Sequence, residues 1–129
     1  MAGMKTRTLL LAILLMVLGA AWLLAQKSQL SGPDPLVVAG DTHKLVFENS
    51  LVRVIETHLP PGKREPRHFH PHGVTIYVQG FDVRITEDGK PPVERQRKAG
   101  TAVWSEPVVH EVVNVGKTEG HVFRVELKH

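Results

Sequence analysis

From residue 37 onward the chain consists of short runs rich in Val, Ile and Thr, each cut off by a turn signal, and its apolar residues nowhere recur at helical spacing. Such a chain buries apolar surface by pairing strands. Strands are expected at residues 44–48, 51–59, 74–79, 81–86, 93–97, 102–104, 108–115 and 122–127, separated by Asn49-Ser50, Pro60-Pro61-Gly62, Asp88-Gly89, Ala99-Gly100 and Gly116. Asp88-Gly89 reads as the two-residue type I′ turn of a hairpin, which needs positive φ at both positions. Eight short strands within residues 37–129 predict a small all-β barrel or jelly roll. Aromatic residues make up 5% of the chain, so the interior must be filled by Val, Leu and Ile.

The first 25 residues are a different kind of polymer. Lys5 and Arg7 form a short positive region, and residues 9–25 follow without a charge. This is the pattern of a secretory signal, with cleavage expected after Gly19-Ala20-Ala21 or Leu23-Leu24-Ala25. The alternative is an uncleaved membrane anchor, for which the apolar run sits at the short end of the roughly 20 residues needed. Either way the domain is expected outside the cytoplasm, periplasmic or secreted. Residues 26–36 carry two prolines and read as a flexible spacer, which leaves residues 37–129 as one barrel domain.

The charge balance changes once the leader is set aside. The 16 Lys and Arg residues lose Lys5 and Arg7, leaving 14 against 13 acidic residues. The remaining basic clusters, Lys63, Arg64, Arg67 and Arg95, Arg97, Lys98, are interrupted by acids or prolines and read as solvated surface, so nucleic acid is not an expected partner. The absence of cysteine excludes disulfides, thiolate catalysis, cysteine-ligated zinc and lipid attachment after the leader.

Chemistry is concentrated in the histidines. There are eight, three of them packed into Arg67-His68-Phe69-His70-Pro71-His72. On a strand, His68 and His70 point to the same face, so two imidazoles can share one metal ion. A third donor is expected from His110 on a late strand. His43, His58, His121 and His129 are assigned surface or core roles, and Asn114 either braces His110 or serves the turn before Gly116.

Gly62, five residues, His68-x-His70 and the apolar strand closing at Gly80 resemble the first motif of the cupin family. Gly100, a short strand and His110-x-x-x-Asn114 resemble the second, and the resemblance spans residues 37–129. It implies a double-stranded β-helix of cupin type, a divalent transition-metal ion (Fe, Zn, Mn, Ni or Cu) held by His68, His70 and His110, and a homodimer. The glutamate that metal-binding cupins carry four residues after the second histidine falls on Val74 here. A three-histidine site remains, as in some cupin-type dioxygenases, with His72 or Glu106 as candidates for a fourth ligand. Three neutral imidazoles leave the charge of a divalent ion uncompensated, which favours a small anionic molecule in its open positions. By parity with Val74, Ile76 and Val78, Tyr77 is expected to face away from the cavity, and Trp104 is expected to pack. The apolar residues Val108, Val109, Val112 and Val113 occupy both faces of one strand, which predicts a second subunit as its outer cover. Three readings follow: a metal-dependent enzyme, dioxygenase-like or isomerase-like; a non-catalytic module that binds a small ligand or metal; or a structural cupin with a vestigial site. No residue stands out as a general base.

Overall fold

A computed structural model describes residues 30–128; the leader and the start of the expected spacer lie outside them. The order is α1 (Pro35–Val38), β1 (His43–Glu48), β2 (Val52–Leu59), β3 (Arg64–His70), β4 (Gly73–Gln79), β5 (Phe81–Glu87), β6 (Val93–Arg97), β7 (Thr101–Ser105), β8 (Val108–Asn114) and β9 (Gly120–Leu127). These strands form two antiparallel sheets, β1-β2-β9-β4-β7 and β3-β8-β5-β6. Their inner faces meet at Leu59, Tyr77 and Val122 from the first sheet and Phe81, Val83 and Val112 from the second. Each such side chain, fully buried, contributes about 1.5–3 kcal/mol relative to exposure. The all-β expectation holds, with a single short helix among the described residues.

Register decides which residues see the interior. On β9 the inward set is Gly120, Val122, Arg124 and Glu126, alternating with less buried neighbours. Tyr77 lies opposite Val122 and Thr75 opposite Arg124, so Thr75 and Tyr77 face inward, while Val74 lies opposite Val125 and faces out. This reverses the parity expected for β4. The phenol ring has more apolar area to bury than any valine on the strand, and Tyr77 is buried while Ile76 and Val78 are exposed.

Two other expectations need correction. The stretch 64–70, with Pro66 inside it, is a strand in its own right, β3, and its register slips between Glu65 and His68. That bulge accommodates the proline and places Glu65 and His68 on one face despite their odd spacing. At Asp88-Gly89 only glycine has positive φ (71°), and Lys90 N donates to Glu87 O, so the turn is not type I′. Asp88 instead keeps ordinary φ, and its carboxylate accepts from Arg67.

The segment before β1 is docked onto the barrel. Phe69 N donates to Pro33 O at 2.8 Å, extending the β3 edge. A Cβ on Gly32 would sit 3.2 Å from both Phe69 and Val109, a tight contact, so the segment lies close over β3 and β8. The outer cover of Val109, expected from a second subunit, is supplied here by the chain itself. Asp34 caps α1, accepting from Leu36 N at 2.9 Å, and also binds Arg53 on β2.

Candidate metal site

The β3–β8 register sets His68 directly opposite His110, and His70 follows on the same face of β3. His68 Nε2 lies 3.0 Å from His70 Nε2 and 3.1 Å from His110 Nε2. The ring centroids are 4.7 Å (His68–His70), 4.7 Å (His68–His110) and 5.2 Å (His70–His110) apart. A fourth ring, His43 at the start of β1, lies 5.3 Å from His68 and 6.2 Å from His70. Donor nitrogens of His43, His68 and His70 fall within 4.8 Å of one another. The structure therefore gathers His43, His68 and His70 into one donor group, while His110, expected as the third ligand, reaches His68 through its Nε2 and stands farther from His70.

The partners of the other ring nitrogens define what this cluster is. His68 Nδ1 faces the carbonyl of Pro66 at 2.7 Å, an oxygen that can only accept. His70 Nδ1 faces the Glu126 carboxylate at 2.5 Å. His43 Nδ1 lies 3.0 Å from the Thr42 hydroxyl, whose own proton goes to Ala39 O. Each Nδ1 must therefore carry the proton, which leaves the Nε2 of His43, His68 and His70 bare. Bare lone pairs of His68 and His70 then point at each other across 3.0 Å with no proton between them. A cation is what such an arrangement accommodates, and the 3.0–3.1 Å separations approach the roughly 3.3 Å edge of a tetrahedron with metal–nitrogen bonds of about 2.0 Å. Burial holds His68 below the usual imidazole range, His70 and His110 well below it, and lowers His43 to about 4, so all four stay neutral and able to ligate.

Behind His70 stands a chain of charges. Arg53 Nε donates to Glu126 Oε2 at 2.8 Å, and Arg53 Nη1 to Asp34 Oδ2 at 2.6 Å. Arg124 Nε lies 3.8 Å from Glu126 Oε1. Burial raises the Glu126 carboxyl, while Arg53 and Arg124 pull it back toward the anion. A carboxylate on the non-ligating nitrogen of a metal histidine fixes the ring and makes it a better donor. The carboxylate missing from position 74 thus has a counterpart on β9, one layer behind the histidines.

A cavity of about 420 Å3 opens beside the cluster, lined among others by His70, His110, Arg124, Arg97, Tyr77 and Glu65. That volume suits a small molecule. Arg124 donates to Thr75 Oγ1 at 2.8 Å and Pro71 O at 2.9 Å, yet its buried Nε has no hydrogen-bond partner, and neither has the buried Nε of Arg97. Glu65 is equally orphaned: its buried Oε1 accepts nothing, with His43 Nδ1 3.8 Å away. Burial pushes its carboxyl up to about 8.

These titrations predict how the metal-free protein responds to pH. Imidazoles held neutral by the fold bind fewer protons than in the unfolded chain, so stability falls as pH drops from about 6.5 toward 4. Glu65 works in the opposite direction, because the fold keeps its proton and the unfolded chain releases it as pH rises from 4.5 to about 8. Thermal unfolding of the chelator-treated protein should show a stability maximum near neutral pH, and Glu65→Gln should remove the alkaline decline while leaving the acid limb.

His72 is placed elsewhere. It is half-buried, its Nδ1 lies 3.1 Å from Glu106 Oε2 without making a hydrogen bond, and its ring stacks on Trp104 at 5.9 Å. Trp104 Nε1 donates to the same Glu106 at 2.8 Å, so His72 joins Glu106 and Trp104 at the rim of the cavity and not the histidine cluster. Proline at 71 ends the β3 pairing and breaks the alternation that would have carried His72 inward. Asn114 serves its turn, donating to Leu59 O and Thr118 O at 2.8 Å and accepting from Gly116 N at 2.9 Å. His43, Glu65, Arg124 and Glu126 were not singled out from the sequence. For Arg124 and Glu126 a signal exists: they share the period-two face of Val122.

No protein-family model matches the chain, and no curated protein does. Among solved structures, the fold is similar to a cupin domain from Bordetella pertussis (26% identity, TM-score 0.62, covering 67% of this chain and 92% of that one). It is also similar to an RmlC-like cupin family protein with a double-stranded β-helix fold from Methanocaldococcus jannaschii (19% identity, TM-score 0.55, 67% and 79%). A cupin-like protein from Thermotoga maritima matches at 27% identity, TM-score 0.51, with 65% of each chain covered. The two-sheet barrel, the histidines converging inside it and these likenesses together make the chain a member of the cupin superfamily.

Proposed function

We propose that the protein is an exported metal-dependent cupin in which His68, His70 and His110, with His43 beside them, hold a divalent transition-metal ion next to a cavity for a small anionic molecule. The observation that carries this reading is the facing pair of bare Nε2 atoms on His68 and His70, each fixed by an oxygen on its Nδ1. When bound, such an ion supplies Lewis acidity and two or more open positions. The rest of the chemistry falls to the chain. The unpartnered N–H groups of Arg97 and Arg124 offer hydrogen bonds to a carboxylate or phosphate, and Tyr77 and Val122 form an apolar wall. Glu65, protonated near neutral pH and lacking a partner on Oε1, is placed to give or take a proton inside the same cavity. That buried acid favours an enzyme, dioxygenase-like or isomerase-like, over the second reading of a binding module.

Elemental analysis of the full-length protein from its own host tests the proposal: one inner transition-metal ion per chain supports it, and none sinks it. Position 74 gives a sharper check on the placement of the site. Val74 faces outward beside Val125 and Trp104, so Val74→Glu should leave metal affinity within about twofold. Thr75→Glu puts its carboxylate into the cavity and should tighten binding by about tenfold. Calorimetric titration of both variants reads the difference.

Export rests on Lys5, Arg7 and the uncharged residues 9–25, and N-terminal sequencing of the mature protein tests it. The homodimer also stays within this reading, but its support shifts to a different face. Phe47, Val54, Val125, Val74 and Trp104 are successive register partners across all five strands of the first sheet, an unbroken apolar row on its outer side. A monomer by light scattering at micromolar concentration would overturn it.

A further inference from the structure

We propose that the outer face of the five-stranded sheet carries a second divalent-metal site, formed by His58, His121 and Glu56 and braced by Glu119. His58 on β2 and His121 on β9 are direct cross-strand partners, and their rings stack at 4.2 Å with 18° between planes. Glu56 precedes His58 by two residues and so shares its face. Its Oε1 lies 2.9 Å from His121 Nε2 and 3.4 Å from His58 Nε2. The longer separation matches the edge of a tetrahedron of about 2.0–2.2 Å metal–donor bonds, roughly 3.3–3.6 Å, and the shorter one lies below it. One donor atom from each of the three residues falls within 4.8 Å of the others, so rotation of these side chains on the sheet surface can bring them onto one ion.

The supporting contacts follow the logic of the inner cluster. His58 Nδ1 lies 2.8 Å from the Glu119 carboxylate, in the way that His70 Nδ1 faces Glu126 at 2.5 Å. With a proton held on that Nδ1, His58 turns its Nε2 toward Glu56, where a divalent ion can take the place of the second proton that these two carboxylates favour. The His121 ring rests against Phe123 at 5.4 Å, which limits its rotation. Charge favours a cation here more than inside the barrel: two neutral imidazoles and two carboxylates balance a divalent ion, whereas the inner carboxylate is already offset by Arg53 and Arg124. Lys44, opposite Glu56 on β1, is the cation at the margin of the site. The two sites lie on opposite faces of the same sheet, separated by Thr57 and Val122, which point inward, so each can be emptied without touching the other. Imidazole nitrogen with carboxylate oxygen and no thiolate is a donor set suited to zinc.

The test is a zinc titration of the full-length protein after chelator treatment, followed by calorimetry. The expected stoichiometry is two ions per chain. His58→Ala and His121→Ala should each remove one, weakening that step by more than tenfold, while His68→Ala removes the other. Glu119→Gln should weaken the outer step by about tenfold, since it acts through His58. Far-ultraviolet circular dichroism unchanged from wild type shows that these exposed replacements leave the fold intact. One ion per chain in the wild type, an outer step seen only at millimolar zinc, or a second ion that persists in both His58→Ala and His121→Ala would each overturn the proposal.

Discussion

His68→Ala should abolish high-affinity metal binding inside the barrel, lowering affinity by more than about a hundredfold in a competition titration against a chelator of known strength. His68 is the hub of the cluster: its Nε2 lies 3.0 Å from that of His70 and 3.1 Å from that of His110, and its ring also meets His43. Removing the partner of a metal histidine already costs tenfold to a hundredfold, and removing a donor common to both plausible ligand sets must cost more. His110→Ala and His43→Ala separate those sets, since the residue that completes the shell should show the larger loss. His72→Ala, on the surface beside Glu106, should leave the affinity unchanged. A His68→Ala protein that still binds the ion as tightly as wild type would remove the inner site from this account.

Glu126→Ala is expected to give the largest loss of stability. The carboxylate is 1% exposed and is shared by Arg53, Arg124 and His70. Deleting it leaves two guanidinium groups in or near the interior without their counter-charge, and breaking a buried ion pair on one side typically costs about 3–5 kcal/mol. For a domain of this size that is a fall of more than about 10 °C in melting temperature. Glu126→Gln keeps the shape, can still accept from one neighbour and should fall between the two. Its readout beyond stability is metal affinity, expected to drop about tenfold because His70 loses the anion on its Nδ1. Loss of stability without any change in affinity would make Glu126 purely structural.

The fold and the three central histidines were legible because each rests on a local rule. Period-two alternation placed His68 and His70 together, and the all-β pattern required a late strand to deliver His110. What stayed hidden depended on pairing and register. His43 joins the site only because β1 starts one residue earlier than its apolar pattern indicates and pairs His43 with Thr57. Glu65 reaches the cavity through a bulge at Pro66, which no alternation rule anticipates. Tyr77 and Val74 exchanged faces because Val74 stands where the resemblance puts a metal-binding glutamate, whereas the β4–β9 register sets it against the outward Val125 and sets Tyr77 against Val122. His72 has the parity of His68 and His70, but Pro71 ends the strand before it. The docked segment at residues 31–38 reads as a spacer from composition alone, since prolines and a glycine mark a loop equally well whether it floats or packs.

That segment has a consequence for how the site behaves as a thermodynamic system. Asp34, Arg53, Glu126 and His70 are joined end to end by three charged contacts of 2.6, 2.8 and 2.5 Å, running from the cap of α1 to a ligand of the inner cluster. The docked and released states of residues 31–38 therefore differ in how firmly His70 is held. Binding free energies are reciprocal: if docking strengthens the hold on an ion by some factor, the ion strengthens docking by the same factor. Loading the barrel should then protect the peptide bonds of this segment from proteolysis, and Asp34→Asn should weaken that protection and the metal affinity in equal measure. The stretch entering the domain thereby becomes a reporter of whether the barrel is filled, legible from outside without reaching the cavity.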